Sequence, residues 1–142
     1  MGEKEKAIKH FVESFTINNK NYYAAHNLGR CFQDLKKYEN ALEWYNQSIR
    51  VEKHYFPSLH SKGRILFELK KYEEAIECFK KSIPLNRNDS RGYYFIGQCF
   101  YELKNYEEAQ KYLDECIKMD KENYKARYLK AKILQKGKKT TS

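Results

Sequence analysis

The sequence repeats itself every 34 residues, and this period constrains the fold more than any other feature of the chain. A glycine recurs at this interval, as do a tyrosine and an alanine further along each copy. The three columns contain Gly29, Gly63 and Gly97; Tyr38, Tyr72 and Tyr106; and Ala41, Ala75 and Ala109. A fixed period of this size is typical of stacked supersecondary units, because each unit needs its neighbours to cover its apolar face.

The apolar residues within each copy are spaced as in a pair of helices. In the first copy, a predicted helix over 22–35 is followed, after two lysines, by a second predicted helix over 38–50. Leu28 and Phe32 lie one turn apart on the inner face of the first helix, and Gly29 beside them lets the second helix approach closely. A turn of two residues leaves room only for antiparallel neighbours. The sequence therefore predicts an all-α chain of antiparallel helix pairs.

We expect one domain over residues 1–142, divided at the repeat boundaries. The predicted segments are a half-repeat at 3–20, complete repeats at 22–55, 56–89 and 90–123, a final helix at 124–136, and a frayed tail at 137–142. Two residues modify this scheme. Pro84 should end or bend its helix early, because proline removes a hydrogen bond and crowds a preceding carbonyl. Gly137 should end the final helix.

The repeat resembles the tetratricopeptide repeat family, whose pattern is W-x2-L-G-x2-Y, then A-x3-F, then P. The matching residues are Ala25, Leu28, Gly29, Phe32, Ala41 and Tyr45 in the first copy; Leu59, Lys62, Gly63, Leu66, Ala75 and Phe79 in the second; and Tyr93, Ile96, Gly97, Phe100, Ala109 and Leu113 in the third. The chain departs from the pattern at the terminal proline, where it has Lys53, Arg87 and Lys121. The resemblance implies a right-handed superhelical solenoid whose first helices line a concave groove for a peptide or protein segment.

On the side of the first helices that the resemblance assigns to the groove, cations stand beside aromatic rings and imidazoles. The residues that we predict to contact a partner are His26, Arg30, His60, Arg64, Arg91, Tyr94, Lys125 and Tyr128. Arginine donates paired hydrogen bonds to carboxylates, and tyrosine offers a large, rigid contact surface. With a net charge of +9, this pattern favours an acidic protein or peptide as the partner. The alternative is that any open helical face of a lysine-rich chain is basic by default.

Some members of the family clamp the C-terminal carboxylate of chaperones. They use Lys and Asn four residues apart on one first helix, Asn on the next, and Lys and Arg four apart on the third. The matching positions here hold His26, Arg30, Ser61, Arg91 and Phe95. A frame shifted by one repeat fits no better, so we expect no chaperone carboxylate clamp.

The sequence contains no motif typical of an enzyme. There is no Gly-rich phosphate loop, no HExxH and no GxSxG, and no nucleophile clusters beside a base. His26 and His60 share a column on neighbouring repeats, but two ligands without a third make a poor metal site. We therefore expect a non-catalytic scaffold or adaptor with no catalytic residue, no metal and no cofactor.

Two other functions stay open. The positive charge and the many tyrosines also suit RNA, but glutamates on the second helices interrupt the basic surface and no RNA-binding signature occurs, which disfavours nucleic acid. The half-repeats at the two ends could stack on other copies, and the chain could be part of a longer array or a larger complex.

The cysteines bear on the compartment. Cys31, Cys78, Cys99 and Cys116 form no CxxC pair and no zinc-type cluster. Cys31 and Cys99 share a column with isoleucines, which indicates buried, reduced thiols. No run of about 18 apolar residues exists that could span a membrane. We therefore expect a cytoplasmic protein without membrane contact.

Overall fold

The structure is a computed structural model that describes the backbone of residues 2–141 and the side chains of residues 2–137. Over this range the chain forms eight α-helices and one 3₁₀ turn, and contains no strand. The helices are α1 (Glu3–Ile17), α2 (Tyr22–Asp34), α3 (Tyr38–Val51), α4 (Phe56–Glu68), α5 (Tyr72–Ser82), α6 (Arg91–Glu102), α7 (Tyr106–Met119) and α8 (Tyr124–Thr141). Each complete repeat contains one helix pair: α2 with α3, α4 with α5, and α6 with α7. Between residues 2 and 141, no helix combines the length and the apolar character needed to cross a bilayer.

The two helices of each pair approach closely at the glycine column. A Cβ added to Gly29 would lie 2.6 Å from the ring of Tyr45, and one added to Gly63 would lie 2.7 Å from the ring of Phe79. Side-chain carbons do not tolerate such distances. The rings of Tyr45 and Phe79 are fully buried in the space that the glycines leave. Glycine is therefore what allows a bulky side chain of the second helix to pack directly on the backbone of the first.

The turn between the helices of a pair depends on a lysine in an uncommon conformation. Lys36, Lys70 and Lys104 have φ of 59°, 62° and 63°. In the first of these turns the N–H of Lys36 donates to Gln33 O, and the N–H of Lys37 donates to Phe32 O, both at 2.9 Å. This is the Schellman arrangement, in which the left-handed residue is usually glycine. The sequence predicts the position of these turns but not their strained backbone.

The two helix ends expected at Pro84 and Gly137 have different outcomes. The first expectation is confirmed: α5 has 11 residues, whereas α3 and α7 have 14, and a 3₁₀ turn at Ile83–Leu85 follows it. The second is wrong, because α8 continues through Gly137 to Thr141. Gly137 has no positive φ, and a Cβ there would meet nothing within 4 Å. A glycine in an exposed helix weakens it by about 1 kcal/mol but does not break it. Ser142 lies outside the described residues.

The buried side chains form two clusters that share Phe100 at their margin. The larger extends from α3 to α6, and the smaller joins α7 and α8. Cys78, Cys99 and Cys116 are buried, Cys31 is half-buried, and all four are free thiols. Burial raises the pKa of the Cys99 thiol to about 12. This cysteine is therefore a small apolar core residue, as its column predicts.

Candidate partner-binding groove

The predicted contact residues divide between two clefts on the face formed by α2, α4, α6 and α8, which we call the groove. The first, the arginine cleft, has a volume of about 250 Å³. It is lined by His26, Arg30, Phe56, Pro57, His60, Ser61, Arg64 and Arg91. The second, the tyrosine cleft, has a volume of about 400 Å³. It is lined by Tyr94, Gln98, Tyr101, Glu102, Tyr124, Lys125, Tyr128, Leu129 and Lys132. The structure thus brings five of the eight predicted residues together in one cleft and the other three in the next.

Asparagines position the helices at the two ends of the groove. The Oδ1 atom of Asn21 accepts the N–H of Ala24 at 2.9 Å, and that of Asn123 accepts the N–H of Ala126 at 3.0 Å. These bonds satisfy one of the free N–H groups with which any helix begins. Asp89 belongs to the same 34-residue column, and its Oδ1 accepts the N–H of Arg91 at 2.9 Å. The starts of α2 and α8 are therefore capped alike by asparagines, whereas Asp89 precedes α6 by two residues and bonds the N–H of its first residue.

The three arginines of the arginine cleft differ in their pairing. The Nε atom of Arg91 donates to both carboxylate oxygens of Asp89, each at 2.9 Å. The hydrogen bond from Arg91 lowers the pKa of Asp89, so this cation is already neutralised. Among the described residues, the ion pairs involve Lys6, Arg91, Lys111 and Lys130, but neither Arg30 nor Arg64. Arg64 lies over the ring of Phe95, with its Cζ 5.5 Å from the centroid. The comparison of equivalent positions in the repeats did not predict the Asp89–Arg91 pair. The sequence signal for it is an acidic residue two positions before an arginine at a helix start.

His60 is a buried imidazole in an aromatic surrounding. Its side chain is 5% exposed, and neither ring nitrogen has a hydrogen-bond partner. Its ring centroid lies 5.4, 5.5 and 5.7 Å from those of Phe56, Phe79 and Phe95. Desolvation, and then the charge of Arg91, lower the pKa of His60 to about 4. Asp89 opposes this shift, and Arg64 adds a smaller lowering effect. The ring is therefore neutral at pH 7.

His26 is equally buried but hydrogen-bonded. Its Nδ1 lies 2.9 Å from Oγ of Ser58, and the Ser58 hydroxyl donates to Oγ of Ser48 at 2.8 Å. Because the Ser58 proton is directed to Ser48, Nδ1 is the donor to Ser58. Desolvation and the charge of Arg30 lower the pKa of His26 to about 4. Both imidazoles therefore form buried, uncharged parts of the cleft wall, and direct contact between them and a partner stays a prediction.

The tyrosine cleft combines exposed rings with two lysines. The side chains of Tyr124 and Tyr128 are 73% and 67% exposed, whereas Leu129 at the base is 7% exposed. The Nζ atom of Lys132 lies 5.2 Å from the ring centroid of Tyr101 and 5.7 Å from that of Tyr128. Three of the cleft's residues, Tyr94, Lys125 and Tyr128, were predicted. Tyr101 and Tyr124 were not, because they lie at the end of one helix and the start of another, outside the columns compared.

Comparison with known proteins identifies the family. The family model described as "Tetratricopeptide repeat" matches residues 21–88 and 55–122, which together span more than half of the chain. The protein belongs to the tetratricopeptide repeat family. No curated protein matches its sequence.

Solved structures share the fold at low sequence identity. MamA from Desulfovibrio magneticus RS-1 (41-end) is 18% identical with a TM-score of 0.89, and the match covers 99% of this chain and 80% of that one. The first TPR of Spaghetti (RPAP3), bound to the HSP90 peptide SRMEEVD, is 22% identical with a TM-score of 0.76, covering 80% of this chain and 90% of that one. YrrB, described as a TPR protein with an unusual peptide-binding site, is 18% identical with a TM-score of 0.77, covering 87% and 64%. The predicted all-α solenoid of antiparallel helix pairs is confirmed.

Proposed function

We propose that the protein is a non-catalytic scaffold or adaptor that binds an acidic segment of a partner protein in the groove. The observation that carries this proposal is the pair of exposed guanidinium groups, Arg30 and Arg64, which line one cleft without an ion-pair partner among the described residues. Arg91 at the same cleft is already paired with Asp89. The cleft therefore has an excess of positive charge that an incoming carboxylate would neutralise.

The chemistry of the cleft suits a carboxylate from a side chain or a chain end. Guanidinium groups bind carboxylates through two parallel hydrogen bonds. The cleft volume of about 250 Å³ lies below the range of roughly 300–1,000 Å³ that holds whole small molecules. The aromatic wall behind the arginines lowers the local dielectric, which strengthens an ion pair formed there.

The neighbours in fold support a peptide as the kind of partner. The structure of the RPAP3 domain contains the HSP90 peptide SRMEEVD, and YrrB is described as having a peptide-binding site. For this chain we propose no chaperone carboxylate clamp. His26, at one of the matching positions, is buried and hydrogen-bonded to Ser58, and a phenylalanine, Phe95, stands where the clamp needs a cation.

The test is a charge reversal with a matched control. A fluorescein-labelled, terminally blocked peptide with four glutamates should bind the wild type, and its glutamine counterpart should not. We expect Arg64→Glu to weaken binding of the acidic peptide by at least about tenfold, the equivalent of about 1.4 kcal/mol. Arg50→Glu is the control, because Arg50 is an exposed arginine of α3 that lines neither cleft. Equal losses in both variants would show that net charge, and not this cleft, binds the peptide.

Self-association is a second candidate, favoured by apolar side chains at both ends of the solenoid. Ile17 and Val12 of α1 are 88% and 38% exposed, and Leu134 of α8 is 48% exposed. Stacking of α1 on α8 of another copy would cover both faces. Light scattering across a concentration series tests this, and a constant monomer mass would reject it.

We also propose a cytoplasmic location. The four cysteines are free, and burial raises the pKa of each thiol above its ordinary value. Such thiols suit a reducing compartment. A fluorescent fusion examined in cells tests this assignment directly.

A further inference from the structure

The tyrosine cleft is larger than the arginine cleft. A carboxylate bound in the arginine cleft would not occupy the tyrosine cleft. Its rim presents two rings, Tyr124 and Tyr128, that are mostly in water, while its base is the buried Leu129. Exposed apolar patches that surround a concavity mark binding sites on soluble proteins. Tyrosine is also enriched in the residues that dominate protein interfaces.

The walls of this cleft define the chemistry of an occupant. Rings of Tyr94, Tyr101, Tyr124 and Tyr128 supply flat apolar surfaces, against which another ring packs edge-on or offset-stacked. Lys132 is held over two of these rings, and Lys125 lies at the same cleft. A bulky apolar group next to a carboxylate is complementary to both features.

We propose that the tyrosine cleft is an anchor pocket for one bulky side chain of the partner segment, preferably aromatic, with a neighbouring acidic residue paired to Lys132. This inference rests on the proposed function, because it assigns the second cleft to the same segment whose carboxylate occupies the arginine cleft. The proposal therefore specifies the partner segment by two kinds of residue, an acidic one and a bulky one, and not by negative charge alone.

The helix packing sets the spacing of that motif. The arginine cleft centres on α4, and the tyrosine cleft lies between α6 and α8; α4 contacts α6, and α6 contacts α8. Packed helix axes are about 10 Å apart. The distance from α4 to the midpoint between α6 and α8 is one and a half such spacings, so the two clefts are about 15 Å apart. An extended chain rises about 3.3 Å per residue. The acidic and the bulky residue should therefore be about four to five positions apart.

Single-stranded nucleic acid is the competing occupant, because bases also stack on exposed rings beside cations. The cleft wall contains a carboxylate, Glu102, which repels phosphates. An aromatic side chain carries no charge into the cleft, and the single acidic neighbour is paired with Lys132, whereas every base brings a phosphate with it, so the peptide is favoured. The oligonucleotide is kept as an arm of the test.

The experiment is a selection of random 12-residue peptides displayed on phage, followed by binding measurements on the selected peptides made in terminally blocked form. Wild-type protein should enrich peptides that combine an acidic residue with an aromatic one about four to five positions away. We expect Tyr128→Ala to bind a selected peptide about tenfold more weakly, and replacement of the peptide's aromatic residue by alanine to have the same effect. The two changes together should be no worse than either alone, since they remove one shared contact. Tyr23→Ala is the matched control, because Tyr23 is 60% exposed on α2 and lines neither cleft.

The outcomes separate the two proposals. Acidic peptides that depend on Arg64 but contain no enriched bulky residue would leave the proposed function standing and overturn the anchor pocket. Aromatic peptides coupled to Tyr128 without any acidic enrichment would support the pocket for a bulky side chain but overturn both the acidic partner and the pairing with Lys132. Additive losses in the double change would also overturn the anchor pocket. So would a dT12 oligonucleotide that binds the wild type more tightly than the selected peptides do and loses this binding in Tyr128→Ala.

Discussion

His60 on α4 faces Phe95 on α6 with a centroid distance of 5.7 Å, so an ionisable ring lies among aromatic rings between two repeats. The folded chain therefore stabilises only the neutral imidazole. The same holds for His26, whose buried ring is hydrogen-bonded to Ser58. Stability should thus depend on pH through two histidines of the groove.

The first prediction concerns acidification. The pKa of His60 is about 4 in the folded chain and 6.5 as the unperturbed value, so the unfolded chain takes up the proton first as pH falls. The stabilisation from His60 is complete above pH 6.5 and is lost between pH 6.5 and 4. We expect a loss of about 2.5 kcal/mol between pH 7.5 and 4.5 from this group.

The measurement is urea unfolding at both pH values for the wild type and His60→Leu. The variant removes two ring nitrogens that lack partners, so it should lose about 2.5 kcal/mol less than the wild type on acidification. Carboxylates that do not interact with His60 contribute equally to both proteins and cancel in the comparison, and Asp89, which does interact with it, has a lowered pKa. An identical pH dependence would show that His60 is not neutralised by its surroundings.

The second prediction concerns the glycine column. Gly63→Ala places a Cβ 2.7 Å from the ring of Phe79, which forces apart two packed helices, and we expect destabilisation of about 1–3 kcal/mol. Gly137→Ala is the control, since a Cβ there meets nothing within 4 Å. That change should be neutral or stabilising by up to about 1 kcal/mol. Thermal unfolding followed by circular dichroism distinguishes the two, and equal melting temperatures would contradict the role of Gly63.

The third prediction uses the left-handed lysines. A non-glycine residue at φ of 62°, as at Lys70, carries a conformational strain of about 1–2 kcal/mol that glycine avoids. Lys70→Gly should therefore stabilise the protein by about 0.5–1 kcal/mol after the greater entropy of glycine in the unfolded chain is counted. Lys70→Ala keeps the strained backbone and should therefore not stabilise the protein. Chemical denaturation of the two variants is the measurement, and equal midpoints would reject the explanation.

The fourth prediction releases Arg91. In Asp89→Asn the amide oxygen of the side chain can still accept the backbone N–H of Arg91, as the carboxylate of Asp89 does in the wild type. The guanidinium loses its carboxylate partner and becomes available to a ligand. We expect the blocked acidic peptide to bind about threefold to tenfold more tightly, with the gain reduced at high salt. Unchanged affinity in fluorescence anisotropy would place Arg91 outside the binding surface.

Features that repeat along the chain could be predicted from sequence, and features made by several repeats together could not. The glycine and alanine columns predict the helix pairs because each contact recurs at the same offset. The burial of His60 depends on rings from three helices, Phe56, Phe79 and Phe95, and no column contains all three. The pairing of Asp89 with Arg91 likewise joins two repeats, and the sequence has no acid and arginine at the matching positions of the other repeat boundaries.

Of the two helix ends predicted from sequence, one depends on the residue alone and the other on its surroundings. Pro84 ends α5 because, beyond the first turn of a helix, proline lacks the N–H that bonds the preceding turn and its ring crowds a carbonyl of that turn. Gly137 could end a helix or remain within it, and the choice depends on surroundings that the sequence does not display.

The two walls of the tyrosine cleft belong to helices that the chain connects only through α7. Tyr94 and Tyr101 lie on α6, whereas Tyr124 and Tyr128 lie on α8, which packs on α7 and more loosely on α6. Helices with few packed neighbours open more readily than helices packed on both sides. A side chain lodged between these walls would join them, and the amide hydrogens of α8 would exchange with solvent more slowly while the groove is occupied.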